Sequence, residues 1–399
     1  MRPNSIAVIA FTGTLTMFGP FSTDMQVPML PALTEYFASS AQCAQLSMSL
    51  FMIGFGLGQF IMGPISDRFG RKPVLMGGMV VFIAASAICA LAPSIEVLIA
   101  ARFLQAFGTA SAYVLSRAVI RDMHDSAGTT RVMSFAMMLM GSTSLYAPAL
   151  GGLLVEWPGW QAVFAIHVVI GTAMLLATWR FYDESVPAKL ADAMRPLTVL
   201  RNCLFLGRDP VFYGYALSLG LVVAAMGVFV SSGPFVFRAF GLAPSEFGLL
   251  FTAIAVTFMA GSLLCSRLTR RIASVRLFRI ALFVATIAIL VMAAMALSPF
   301  ASVVTVMVPL MGVSFAMGFI MPLGFAGALG AHPHLAGTAS SFAGFQQAML
   351  SSVSGIVGIA IFDGTAGPMA LLMSAFICCA LLVFFFFLYP QRHRLTQQN

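Results

Sequence analysis

The sequence predicts an all-α membrane protein with twelve transmembrane helices in two six-helix, pseudo-symmetric halves. Three observations predict it. First, 60% of the 399 residues are hydrophobic and the mean hydropathy is +0.97, unlike a water-soluble domain. Apolar runs close to the roughly twenty residues that cross a bilayer recur along the whole length. They are continuously apolar and lack the alternation of barrel strands. Second, nineteen of the 21 Lys and Arg fall at the two termini or in even-numbered loops; Arg238 lies in an odd loop and Arg102 within a span. That is the positive-inside pattern, which places both termini in the cytoplasm. It accounts for the net charge of +8 without a nucleic-acid partner. Third, one long polar segment, 181–209, splits the spans six and six, giving halves 1–180 and 210–399.

Span 1 runs from Ser5 to Leu30, is broken at Gly19-Pro20, contains Asp24 and is followed by Pro31. It shows no small-residue cleavage pattern, so it reads as a retained helix and not as a signal peptide. Spans 2 and 3 cover 43–64 and 73–92, and Pro93-Ser94 makes the corner into span 4, 95–117. A charged loop follows, with Arg121, Asp122, His124, Asp125 and Arg131. Span 5 is 132–154, Trp157-Pro158-Gly159-Trp160 is an interfacial turn with aromatic anchors, and span 6 is 161–180. The polar segment carries Asp183, Glu184, Lys189, Asp192, Arg195, Arg201, Arg208 and Asp209 as an interdomain linker. Spans 7 to 12 are expected near 211–231, 246–266, 276–297, 302–324, 337–361 and 367–389.

The stretch 63–72, Gly-Pro-Ile-Ser-Asp-Arg-Phe-Gly-Arg-Lys, concentrates four charges between two apolar runs in a chain that is 9% charged. Its glycines suit a tight turn and close helix approach. Asp67 ends span 2, where the helix dipole disfavours an anion, so it calls for a specific partner. The pattern Gly63-x-x-x-Asp67-Arg68-x-Gly70-Arg71-Lys72 resembles the signature loop between spans 2 and 3 of the major facilitator superfamily of secondary transporters. The resemblance implies a cytoplasmic latch, to which Arg121 and Asp122 are expected to belong; the free amides and positive dipole end at the start of span 11, Gly337-Thr338-Ala339-Ser340, suit Asp67 as a docking partner. In the second half, Ser266-Arg267-Leu268-Thr269-Arg270-Arg271 echoes the loop without its acid and glycine.

Asp24 is the one acid away from the end of a span, and an ionisable group at that depth is a functional candidate by default. Ser22-Thr23-Asp24-Met25-x-x-Pro28-x-x-Pro31 resembles the span-1 signature of the bicyclomycin and chloramphenicol/florfenicol exporter branch, in which the matching acid is implicated in proton and substrate coupling. Some neighbouring branches carry a further acid two turns earlier, where this chain has Thr16. Arg102 lies about 10 Å into span 4 at 1.5 Å per residue and needs a counter-charge or carbonyl partners. It is expected to face Asp24. Leu98-x-x-x-Arg102-x-x-Gln105-x-x-Gly108 resembles the span-4 signature tied to proton transfer in drug–proton antiporters. Gly141 and Ala147-Pro148-Ala149-Leu150-Gly151-Gly152 resemble the span-5 antiporter motif, with Ala147 in place of its first glycine. Small residues there permit close helix contact and Pro148 a kink.

Gln59, Gln105, Tyr113, Tyr146, Gln346 and Gln347 are polar groups within spans that suit orientation of a substrate, and the 27 Met and 37 Phe supply a plastic apolar lining. His332 and His334 read as loop residues. There is no nucleotide-binding loop, no metal spacing and no nucleophile–His–acid set, so no enzyme, cofactor or metal is expected. The resemblance implies proton-coupled efflux of amphiphilic small molecules by a monomer in a bacterial inner membrane. The alternatives are transport of a natural metabolite such as an amino acid or sugar and, more remotely, a non-transporting receptor.

Overall fold

The structure is a computed structural model describing residues 6–123, 126–184, 196–332 and 335–391. His124, Asp125, Lys189, Asp192, Arg195, His334 and the tail 392–399 lie outside the described residues, as do the side chains of Arg121 and Arg131. Every regular element among the described residues is helical. The first six-span stretch comprises α1 (Ile6–Asp24), α2 (Leu30–Tyr36), α3 (Ala41–Phe69), α4 (Arg71–Ala90), α5 (Ile95–Met123), α6 (Ser126–Glu156) and α7 (Gln161–Phe181). Then come α8 (Pro196–Arg208), α9 (Pro210–Ala239), α10 (Pro244–Leu268), α11 (Ser274–Ala296), α12 (Val303–Ala331), α13 (Ala336–Ala360) and α14 (Gly367–Val383).

Eleven helices among the described residues, α3 to α7 and α9 to α14, are long and apolar enough to cross a membrane. α1, with 19 residues, spans roughly 28 Å at the α-helical rise and occupies the place of the first span. The chain is a multi-pass membrane protein. One expectation needs correction. The first span does not break at Gly19-Pro20: α1 continues through Pro20 and stops at Asp24, and a single 3-10 turn, Val27–Met29, leads into α2. Prolines at 28 and 31 lack the N–H that a continuous helix would use. Within the segment read as a linker, 196–208 fold as α8, a helix not foreseen from the sequence.

Contacts divide the chain into two compact units, Met1–Arg195 with Ala243–Leu249, and Pro196–Leu242 with Leu250–Asn399. In the first unit α5 is central and packs on both α3 and α4. A Cβ on Gly108 would strike the Gly78 carbonyl and the Phe82 backbone, so these backbones meet only because both positions lack a side chain. In the second unit α9 packs on α12, α13 and α14. Hydroxyls cross between its helices to backbone carbonyls: Ser354 to Ala224 at 2.7 Å, Ser314 to Ile254 at 2.8 Å and Ser218 to Ala380 at 3.2 Å. Asp209 caps α9 through the Val211 N–H, and a reciprocal Ser302–Thr305 box caps α12, satisfying amides that have no intrahelical partner.

Candidate functional site

Asp24 is the last residue of α1. Ser144 Oγ, from α6, donates to its Oδ2 at 2.6 Å, and Thr23 Oγ1 to its Oδ1 at 3.1 Å. The Thr23 proton is shared with the carbonyls of Gly19 and Pro20, which leaves Ser144 as the dedicated partner. The carboxylate is half-buried. A hydroxyl can donate to a carboxylate or accept from a carboxylic acid. Both protonation states of Asp24 therefore find a partner without movement of the backbone.

Arg102 is not the partner of Asp24, contrary to the expectation. It is fully buried on α5. Its Nη2 donates to the Ser22 carbonyl at 3.4 Å and its Nη1 to Gln105 Oε1. The guanidinium lies 3.9 Å from the Phe51 ring centroid and 5.9 Å from that of Phe164. Among the described residues no carboxylate pairs with it. The charge is met by a carbonyl, a carboxamide and aromatic faces, whose quadrupoles attract cations. The physical reason is direction: Arg102 reaches α1 two residues before Asp24, while the Asp24 carboxylate turns to α6.

Gln105, expected as a cavity group, is also fully buried. Its amide donates to Ser86 Oγ at 2.6 Å and lies 3.4 Å from His167 Nδ1. His167, on α7 and completely buried, was missed by the sequence reading. The signal was available, since an imidazole inside an apolar span meets the same criterion as Asp24. Thr16 Oγ1 donates to the Thr12 carbonyl at 2.8 Å and to Ser116 Oγ at 3.0 Å, tying α1 to α5.

The charged loop is shorter than expected. α3 continues to Phe69 and α4 begins at Arg71, so the joint is Gly70 alone, at φ +109°. Arg71 is buried among Asp67 (2.6 Å), Asp122 (3.0 Å) and Ser66 Oγ (2.5 Å). Glu184 accepts the backbone N–H of Arg71 at 2.8 Å and of Lys72 at 3.2 Å, placing an anion at the positive end of α4. A Cβ on Gly70 would collide with that carboxylate. Lys72 Nζ donates to the Trp179 carbonyl at 3.1 Å, and Arg68 covers Phe69. Gly63 differs from expectation: it sits inside α3, and a Cβ there would make only ordinary contact with Val114.

On α6, a Cβ at Gly151 would strike the Met25 carbonyl, and one at Gly152 the backbone at Pro244. These glycines and the kink-permitting Pro148 allow close approach at the end of α1. Gly141 has open space around it, so tight packing does not explain that glycine. Of the remaining polar candidates, Tyr113 stacks under Arg117 at 4.1 Å, Gln59 is half-buried and Tyr146 is exposed. In the second unit, Gln346 Oε1 and Gln347 Nε2 are buried without a hydrogen-bond partner.

Known proteins place this architecture. The chain is 32% identical over 374 residues to the MFS-type transporter YdgK of Bacillus subtilis, covering 92% of each. It is 28% identical to the bicyclomycin resistance protein homolog of Haemophilus influenzae, covering 94% of each. It is 26% identical to a chloramphenicol resistance protein of Pseudomonas aeruginosa, covering 85% of this chain and 80% of that one. The D-xylose–proton symporter structure superposes with a TM-score of 0.77 over 96% of this chain and 97% of that one, at 17% identity, which shows the shared fold alone. The Major Facilitator Superfamily profile matches residues 12–358, and the chain belongs to that superfamily of membrane transporters.

Proposed function

We propose that the protein is a secondary active transporter that exports lipophilic or amphiphilic drugs, of the amphenicol or bicyclomycin kind, in exchange for protons by alternating access. The observation that carries the proton part is the Asp24 site. Its carboxylate is half-buried and bonded to hydroxyls, with no cation opposite among the described residues. An acid salt-bridged to arginine would have to break that pair to take up a proton. Among the described residues Asp24 has no such pair, and Ser144 serves either state. The names of the Haemophilus and Pseudomonas relatives support the drug class. A proton moving inward down 100 mV releases about 2.3 kcal/mol, to which a pH gradient adds.

Arg102 and Gln105 hold the end of α1 beside Asp24 in this reading. Arg71, with Asp67, Asp122, Glu184 and Gly70, forms the cytoplasmic latch, to which Gly63, Arg68, Lys72 and Arg121 contribute. Gly151, Gly152 and Pro148 shape α6 behind Asp24, and Gln59, Tyr113, Tyr146 and Gln346 are the polar groups offered to substrate. The protein acts as a monomer in a bacterial inner membrane with both termini cytoplasmic. The test is cellular susceptibility to amphenicols, bicyclomycin, dyes and quinolones, for wild type and Asp24→Asn at matched expression. Resistance that vanishes in the variant and with an uncoupler is expected. Resistance undiminished in Asp24→Asn removes Asp24 from the mechanism, and no resistance to any compound overturns the drug reading.

A further inference from the structure

The buried histidine of α7 is not used by the mechanism above, yet it ends a chain of hydrogen bonds that begins at Arg102. The chain has a fixed polarity. Arg102 can only donate, so the atom of Gln105 that meets its Nη1 is the carbonyl oxygen. Ser86 commits its single proton to the Phe82 carbonyl at 2.6 Å. It must therefore accept from Gln105, and the carboxamide atom facing it is the nitrogen. Two independent partners thus impose one orientation on Gln105. The same nitrogen faces His167 Nδ1 at 3.4 Å, so Nδ1 must be an acceptor and the ring proton belongs on Nε2. The ring packs edge-on against Phe21 and Phe164 and tilted against Phe82, with centroids 5.6–5.9 Å away, and turning it over would displace them.

We propose that His167 is a positioning residue for Arg102. As a neutral, Nε2-protonated acceptor it holds the Gln105 carboxamide in the orientation that presents its oxygen to Arg102. Arg102 in turn stays on the Ser22 carbonyl, two residues from Asp24. An Nδ1–H in either the other tautomer or the imidazolium would oppose the Gln105 amide. Turning that amide to accommodate it would set N–H against N–H at Arg102 and oxygen against oxygen at Ser86, whose proton is committed to Phe82. The titratable groups around this chain are Arg102 on α5 and Cys89 on α4, while α1 and α7 contribute Phe21 and Phe164. Asp24 is engaged on α6.

The test has two arms, of which only the second rests on the export reading. The first is nitrogen-15 NMR of the full-length protein in lipid nanodiscs with labelled histidine and no transported compound. The His167 signal is the one of five that disappears in His167→Asn. An Nε2–H neutral ring is expected, and an Nδ1–H ring overturns the proposal. The second arm compares export by His167→Asn, whose Oδ1 restores an acceptor at the Nδ1 position, with His167→Phe, which keeps the ring and loses the acceptor. Asn is expected within about threefold of wild type and Phe about tenfold lower, the worth of one buried hydrogen bond at 1.4 kcal/mol per decade. Phe equal to wild type, or Asn as impaired as Phe in well-folded protein, overturns it. Wild type that exports nothing defeats the export reading, and the NMR arm still decides the role of His167.

Discussion

Two loops at equivalent places in the two units have opposite fates. After α3, Asp67, Gly70 and Arg71 close into a one-residue joint with a buried arginine at its centre. After α10, the corresponding Arg267, Arg270 and Arg271 are exposed, and the turn takes residues 269–273. Among the described residues none of those three arginines has an ion-pair partner. Both loops are basic, as the positive-inside rule demands. Only the first has the acid that draws an arginine inward and the glycine that lets a carboxylate reach the next helix start. An exposed basic turn and a packed ion cluster differ by those two residues.

The largest break in that contrast comes from Arg71→Gln, which leaves Asp67 and Asp122 facing each other. A loss of about 3 kcal/mol is expected, the low end for a broken buried pair, because Asp67 remains 34% exposed. The readout is a lower apparent unfolding temperature in detergent, together with reduced export. Gly70→Ala should cost about 1–3 kcal/mol for a backbone at φ +109° and ψ 153°, a region essentially reserved to glycine, plus displacement of Glu184. A Glu184→Gln background should recover part of it, since the neutral side chain binds the α4 amides less strongly. Arg271→Gln should change stability by no more than about 0.5 kcal/mol and leave export intact. A large effect there would mean that the second loop is also held by its arginines.

The same contrast extends into the membrane. The first unit carries Asp24, Arg102 and His167 inside its spans, whereas in the second unit Ser218, Ser314 and Ser354 join helices through hydroxyls on backbone carbonyls. Ser144→Ala is expected to lower export severalfold with Asp24 intact, and Ser144→Thr, which keeps the hydroxyl, to retain most of it. Equal export by both would remove Ser144 from the site.

The spans were legible because a helix in lipid needs a long apolar run, and a run is a local property. Asp24, Arg102 and Asp67 stood out for the complementary reason, as charges where charge is costly. Their partners were not legible. Ser144 lies 120 residues from Asp24, and Glu184 more than 110 residues from Arg71. Neither pairing leaves any spacing in the chain. Arg102 was matched to Asp24 on depth and charge alone, and the structure shows carbonyl and aromatic partners in place of the acid. His167 was passed over because the search for ionisable groups weighed acids and arginines and not a neutral imidazole.

The most direct test of the account is uphill movement of an exported drug in proteoliposomes under an imposed proton gradient, for wild type and Asp24→Asn, with drug binding measured in parallel. The account predicts gradient-driven accumulation by wild type, and none by Asp24→Asn despite retained binding. Accumulation by Asp24→Asn at the wild-type rate would contradict it.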